Sequence, residues 1–255
     1  MNRRKFLAAA GGTAVGLAGI SPIGRAALAS TSKPEVKAIA FDGFPIFDPR
    51  PIFALTKTLF PEQGAALGKL WFAKIFGYTW LRTLGGRYQG FHTVIEDALT
   101  FSAESLKLEL SQFQHEQLMT IWLKLNVWPD VKPALQYFHD QNIRLGFLSN
   151  LSEDMMRANA RNADIEDAFE FYLSTDRVQA FKPSPLAYQM GVDAFALPKE
   201  NIAFAAFGGW DAAGANWFGY PTVWVNRFGV RRENLGTDDV VTGRGISSLV
   251  DFIKP

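Results

Sequence analysis

Val36-Lys37-Ala38-Ile39-Ala40-Phe41-Asp42 is a short, mostly apolar run that closes on an acid, and it decides how the rest of the chain is read. A run without clean polar/apolar alternation suits a strand buried on both faces, as in a parallel sheet covered by helices. Similar runs follow at Ile143-Arg144-Leu145-Gly146-Phe147-Leu148, Phe171-Tyr172-Leu173, Ile202-Ala203-Phe204-Ala205-Ala206-Phe207 and Thr222-Val223-Trp224-Val225. Helix-like stretches at 131–141, 153–162 and 185–195 lie between them. Strands alternating with helices of this length imply βαβ crossovers and an α/β fold.

Residues 51–128 break that rhythm, with helical periodicity, many aromatics and no convincing strand run, so they read as a helical insertion. Within it, Trp71, Phe72, Phe76, Tyr78, Trp80, Tyr88 and Phe91 can line a pocket, although a stripe of aromatics more often forms core. There is no internal repeat. Gly243-Arg244-Gly245 follows no predicted strand and runs on into Ile246-Ser247-Ser248, so it is not a dinucleotide fingerprint.

Ahead of the first strand, residues 1–29 read as a twin-arginine signal peptide. Arg3-Arg4-Lys5-Phe6-Leu7 leads into a small-residue apolar run, and Ala27-Leu28-Ala29 before Ser30 fits a cleavage site. The apolar run is short of the roughly 20 residues of a spanning helix. That route carries folded proteins, so the mature chain is expected in a periplasm or outside the cell.

Composition narrows the function classes. The 255 residues are 48% hydrophobic and 20% charged, as in an ordinary globular protein. A formal charge of +1 and no clustered basic run argue against nucleic acid as a partner, and nothing indicates a membrane surface for the mature protein. Cysteine is absent, which removes disulfides, thiolate nucleophiles and Cys-ligated metals. His92, His115 and His139 have no metal-pair spacing, so neither a metal nor another cofactor is expected.

In an open parallel sheet, ligands bind outside the carboxyl ends of the strands. That rule selects Asp42 after the first run, Ser149-Asn150 after the second, Lys182 beyond the third and Asp211 after the fourth. Singly, each has a plain alternative as a helix cap, a turn residue or a solvated lysine. In order, at successive strand ends, they form a pattern.

Phe41-Asp42 with Asp48, Leu148-Ser149-Asn150, Phe181-Lys182-Pro183 with Tyr188, and Trp210-Asp211-Ala212-Ala213-Gly214-Ala215 resemble the ordered motifs of the haloacid dehalogenase-like superfamily. Tyr78-Thr79-Trp80-Leu81-Arg82 and Phe218-Gly219-Tyr220-Pro221-Thr222-Val223-Trp224-Val225-Asn226-Arg227 are similar, more narrowly, to the L-2-haloacid dehalogenases. The resemblance implies a Rossmann-like parallel core (36–50 and 129–255) with a helical cap (51–128). It implies a nucleophilic Asp42 that displaces halide from a small anionic 2-haloacid, and a water that then opens the ester. Lys182 would keep Asp42 ionised and attract the anion, while Asp211 would hold Lys182 and help activate the water. Ser149, Asn150, Tyr188, Phe91, Trp210 and Arg82 are the expected substrate-side residues. Dimerisation is common in the family, and this sequence alone does not fix it.

Three departures bear on activity. Asp42-Gly43-Phe44-Pro45-Ile46-Phe47-Asp48 is one residue shorter than the usual loop and lacks its threonine, which implies a lost hydroxyl contact to Asp42. Phe72 stands where a cap arginine would take the leaving halide, with Arg82 the nearby substitute. Ala206-Phe207-Gly208 stands where Ser-Ser-Asn is usual. A metal-dependent phosphatase of the same superfamily is the nearest alternative, although its usual second aspartate falls on Phe44. A non-catalytic relative that binds small carboxylates is the other.

Overall fold

Every residue of the first strand is fully buried, and alternate side chains enter different cores. Ile39 and Phe41 join one apolar cluster, while Ala38 and Ala40 join another on the opposite face. Two-sided burial is why this run carries no polar alternation.

The computed structural model describes residues 35–254 except Asp239. The predicted signal peptide at 1–29 lies outside the described residues. Strand β1 (Ala38–Phe41) is followed by a one-turn helix α1 (Gly43–Ile46) and then by α2 (Arg50–Leu59), α3 (Gly64–Leu84), α4 (Phe91–Ser105) and α5 (Gln112–Thr120). The chain continues through α6 (Val131–Asp140), β2 (Arg144–Ser149), α7 (Glu153–Asn162), β3 (Phe171–Ser174), α8 (Pro185–Phe195), β4 (Ile202–Ala206) and α9 (Gly209–Phe218). It closes with β5 (Thr222–Val225), β6 (Val241–Gly243) and α10 (Ser247–Ile253). Among the described residues no helix is long and apolar enough to cross a membrane.

The six strands form one sheet in the order β3-β2-β1-β4-β5-β6, and all pairings are parallel. Successive strands are added on one side of β1 up to β3 and on the other side from β4. The switch point therefore falls between β1 and β4, and the crevice at their carboxyl ends is where an α/β sheet accepts ligands.

Between β1 and β2 the described chain is helical. Leu67, Trp71 and Ile75 of α3 and Val94 and Ile95 of α4 are fully buried and share the core of β1. Burying each such side chain is worth about 1.5–3 kcal/mol, which holds these helices against the carboxyl edge of the sheet. The start of α7, just past β2, is set by Ser152, whose Oγ accepts from Met155 N, with Glu153 and Asp154 in the first turn.

One sequence expectation is corrected. Gly243-Arg244-Gly245 does follow a strand: Gly243 ends β6, and α10 begins at Ser247. This edge strand has three residues and two of them are exposed, so it carries no buried apolar run to read.

Candidate active site

Asp42 leaves β1 in an extended conformation and caps α1. Its Oδ2 accepts from Phe44 N at 3.3 Å. Its Oδ1 is held more firmly, by Lys182 Nζ at 2.8 Å and Ser149 Oγ at 3.0 Å. The same Ser149 Oγ accepts from Gly43 N and Leu151 N, each at 3.3 Å, so the end of β2 is tied to the end of β1. The hydroxyl that reaches Asp42 is that of Ser149, at the end of β2, and the loop after Asp42 gives it only the Phe44 N–H.

Lys182 is buried and bridges two carboxylates, with Asp211 Oδ2 at 2.6 Å on its other side. Burial by itself lowers a lysine, but the charges of Asp211 and Asp42 outweigh it and raise the Lys182 pKa above the ordinary value. The Lys182 backbone N–H donates to Asn150 Oδ1 at 3.0 Å, which fixes the loop that carries the lysine.

Asp211 sits in the first turn of α9, where the helix dipole favours an anion. Its Oδ1 accepts from Tyr188 Oη at 2.8 Å. Burial pushes its carboxyl up to about 6, and nearby Asp42 adds to the rise, against the lowering by Lys182 and Tyr188. Gly214, one turn further along α9, makes room for this arrangement: a Cβ there would stand 2.5 Å from Tyr188 Oη and 2.6 Å from Pro183 Cβ.

Asp42 opens into a cavity of about 100 Å³. Ser149, Asn150 and Asp42 supply polar side chains, Trp210 brings an indole N–H, and Asn150 Nδ2 is a buried donor with no protein partner. The rest of the lining is apolar or backbone: Phe44, Phe72, Phe76, Phe91, Leu151, Phe207 and Gly208. Among the described residues no lysine, arginine or histidine lines it. A larger open groove of about 610 Å³, lined by Leu135, His139, Arg161 and Asp164, starts near the opposite end of β2 and includes none of the strand-end residues.

Gly208 has a specific consequence here. A Cβ at this position would stand 2.7 Å from Trp210 Nε1, so the indole occupies the space a longer side chain would take. Phe72 stacks on Trp122 with ring centroids 5.6 Å apart and meets Phe53 at 4.4 Å. The position expected to carry a cation is thus one ring in an aromatic layer.

Asp42, Ser149, Asn150, Phe91 and Trp210 come together on the cavity. Lys182 and Asp211 stand behind Asp42 and do not line it. Two expectations are corrected. Tyr188 is fully buried behind Asp211, so it meets the acid and not a substrate. Arg82 is drawn to Asp97, with which it forms a close ion pair, and to the Arg87 carbonyl oxygen, so it is not on the cavity. Asp48, quoted with the first motif, accepts from Arg50 N at 2.9 Å at the start of α2 and serves the backbone there. The sequence reading missed Phe44, Leu151 and Phe207 as lining, while Phe72, Phe76 and Phe91 were among the aromatics expected to line a pocket.

The family model for haloacid dehalogenase-like hydrolases matches residues 12–219. A haloacetate dehalogenase from Moraxella sp. (strain B) is 33% identical over 220 residues, covering 86% of this chain and 98% of that protein. An (S)-2-haloacid dehalogenase from Pseudomonas sp. (strain YL) is 35% identical over 202 residues, covering 79% and 87%. Among solved structures, an L-2-haloacid dehalogenase superposes with a TM-score of 0.84 at 32% identity, over 87% of this chain and all of the other. The L-2-haloacid dehalogenase from Xanthobacter autotrophicus superposes with a TM-score of 0.78 at 25% identity, over 86% and 98%.

Proposed function

Because this chain belongs to the haloacid dehalogenase-like hydrolases, we propose that it hydrolyses the carbon–halogen bond of small 2-haloalkanoic acids through an ester on Asp42. The observation that carries this reading is the unequal loading of the Asp42 carboxylate. Lys182 and Ser149 hold Oδ1, while Oδ2 has one long backbone bond and remains available to attack.

In the first step Asp42 Oδ2 forms a bond to the halogen-bearing carbon as the halide leaves with the bonding electrons. Water then adds to the carboxyl carbon of the ester, and the 2-hydroxy acid departs as Asp42 regains its charge and a proton is released. Lys182 pairs with the Asp42 carboxylate and stabilises charge on the same carboxyl when the ester opens. Asp211 and Tyr188 hold Lys182 on that line. Asn150 Nδ2 offers a hydrogen bond to the substrate carboxylate or the departing halide. Helices α2–α5 serve as the cap that closes the aromatic side, and the sequence at 1–29 supports export by the twin-arginine route.

The test is halide release from chloroacetate and from the enantiomers of 2-chloropropionate, beside Asp42→Asn and with chelator present. Release that vanishes in the variant and ignores chelator is expected. Magnesium-dependent release of phosphate from a phosphate ester would instead establish the phosphatase alternative. The Phe72 and Gly208 departures favour a second reading, a site that binds small acids without turnover. Binding that survives Asp42→Asn, with no halide released by either protein, is its signature.

A further inference from the structure

The aromatic side of the cavity fixes a limit that the dehalogenase reading alone leaves open. At about 100 Å³ the cavity is small for a ligand site. Drug-sized ligand pockets run to roughly 300–1,000 Å³. At one end the space is bounded by Asp42, Ser149 and Asn150, each pinned by the hydrogen bonds given above. At the other end it is bounded by rings that are themselves backed by rings.

Phe76 meets Trp210 with centroids 5.3 Å apart and Phe72 at 6.2 Å. Trp210 is braced edge-on by Trp80 at 5.5 Å and lies against Gly208. Phe72 is braced by Trp122 and Phe53, and Trp122 is itself buried. Phe72, Phe76 and Trp210 are half-buried and Trp80 is exposed, so ring-on-ring contacts, anchored on the buried Trp122, hold this wall in place.

We propose that this wall is a size filter that restricts the site to two-carbon 2-haloacids, with Phe76 setting the limit through its contacts to Phe72 and Trp210. The proposal rests on the dehalogenase reading and deepens it by naming the substrate class. An acetate skeleton places its reacting carbon over Asp42 and its carboxylate toward Asn150, and leaves only the halogen to the rings. A methyl or ethyl group on the same carbon needs space that Phe76 and Phe72 fill. An unfiltered aromatic pocket would behave in the opposite way and favour the longer, more apolar acid.

The experiment compares kcat/KM for bromoacetate, L-2-bromopropionate and L-2-bromobutyrate in the full chain and in Phe76→Ala. One methylene is commonly worth about 10–200-fold in a fitted pocket. The wild type is therefore expected to lose about tenfold or more on going from bromoacetate to bromopropionate, and more for bromobutyrate. Phe76→Ala should raise the two longer acids about tenfold relative to bromoacetate, with Phe76→Leu intermediate and available if the alanine variant folds poorly. Equal kcat/KM for the three acids in the wild type, or ratios that neither variant moves, would overturn the filter.

Absence of halide from all three acids would be a failure of the dehalogenase reading, and binding then decides the filter. The rise in melting temperature with acetate, propionate and butyrate should fall in that order in the wild type and level out in Phe76→Ala. Equal shifts, or the largest with butyrate, would overturn it.

Discussion

The two sides of the cavity solve the problem of a buried reaction differently. On the sheet side, Asp42, Lys182 and Asp211 form a chain of charges linked at 2.8 and 2.6 Å, completed by Ser149 and Tyr188. On the helical side, Phe72, Phe76 and Phe91 offer rings alone. The chain of charges stands at the nucleophile, while the aromatic side of the cavity carries no lysine, arginine or histidine among the described residues. Charge is thus spent on holding and protecting the attacking group, and shape is left to select what it attacks. The two sides should respond differently to mutation: each link of a buried ionic chain is costly to break, whereas an aromatic pair is worth only about 0.5–1.5 kcal/mol beyond its area.

The largest effect is expected at Asp42→Asn. The amide keeps the shape but cannot form the ester, and turnover should drop by about 10⁴-fold or more, as it does when a catalytic aspartate or nucleophile is removed elsewhere. Turnover within tenfold of the parent would mean that the charged side does not carry the chemistry.

Lys182→Met comes next and tests the chain itself. It leaves two carboxylates buried without their shared cation, so stability in urea should fall by about 3–5 kcal/mol and turnover by about 10²–10³-fold in whatever remains folded. A variant as stable as the parent would show that the bridge is an ornament of the site.

The pH profile of kcat measures the far end of the chain. Asp211 is held up at about 6, so it is ionised above that pH and neutral below it. Activity should fall as pH drops through about 6, when Lys182 loses its second charged partner. Tyr188→Phe removes a hydrogen bond that favours the ionised acid, so this acid limb should move to higher pH. A limb that stays in place in Tyr188→Phe would assign it to another group.

How much of this was legible in sequence also differs between the two sides. The sheet side could be read because buried parallel strands are apolar runs, and their carboxyl ends are the places where a polar residue is conspicuous. Asp42, Ser149, Asn150, Lys182 and Asp211 were all found in that way. The helical side was hard to read, since Phe76, which lines the cavity, and Trp71, which is fully buried and donates from Nε1 to Ile95 O at 2.8 Å, have the same periodicity. Which ring faces the cavity depends on helix rotation against the sheet, and one sequence does not encode that locally. Tyr188 illustrates a third case: its motif marked it as belonging to the site, but its depth behind Asp211 follows from how α8 packs on α9.

Arg82 gives the smallest expected effect and the sharpest check on the contrast. From sequence it was the substitute expected for the cation missing at Phe72. The structure puts it in the last turn of α3, where the helix dipole favours a positive charge, and pairs it with Asp97 at a partly exposed position. Exposed pairs of this kind are worth about 0–1 kcal/mol. Arg82→Ala should therefore leave kcat/KM for a two-carbon haloacid within about twofold of the parent and change stability by less than about 1 kcal/mol. If kcat/KM fell tenfold while the melting transition stayed put, the guanidinium would have to leave Asp97 during turnover and reach the halide. The division between a charged floor and an uncharged wall would then hold only for the empty site. An unchanged kcat/KM means that the Arg82 guanidinium stays with Asp97 and takes no part in displacing the halide.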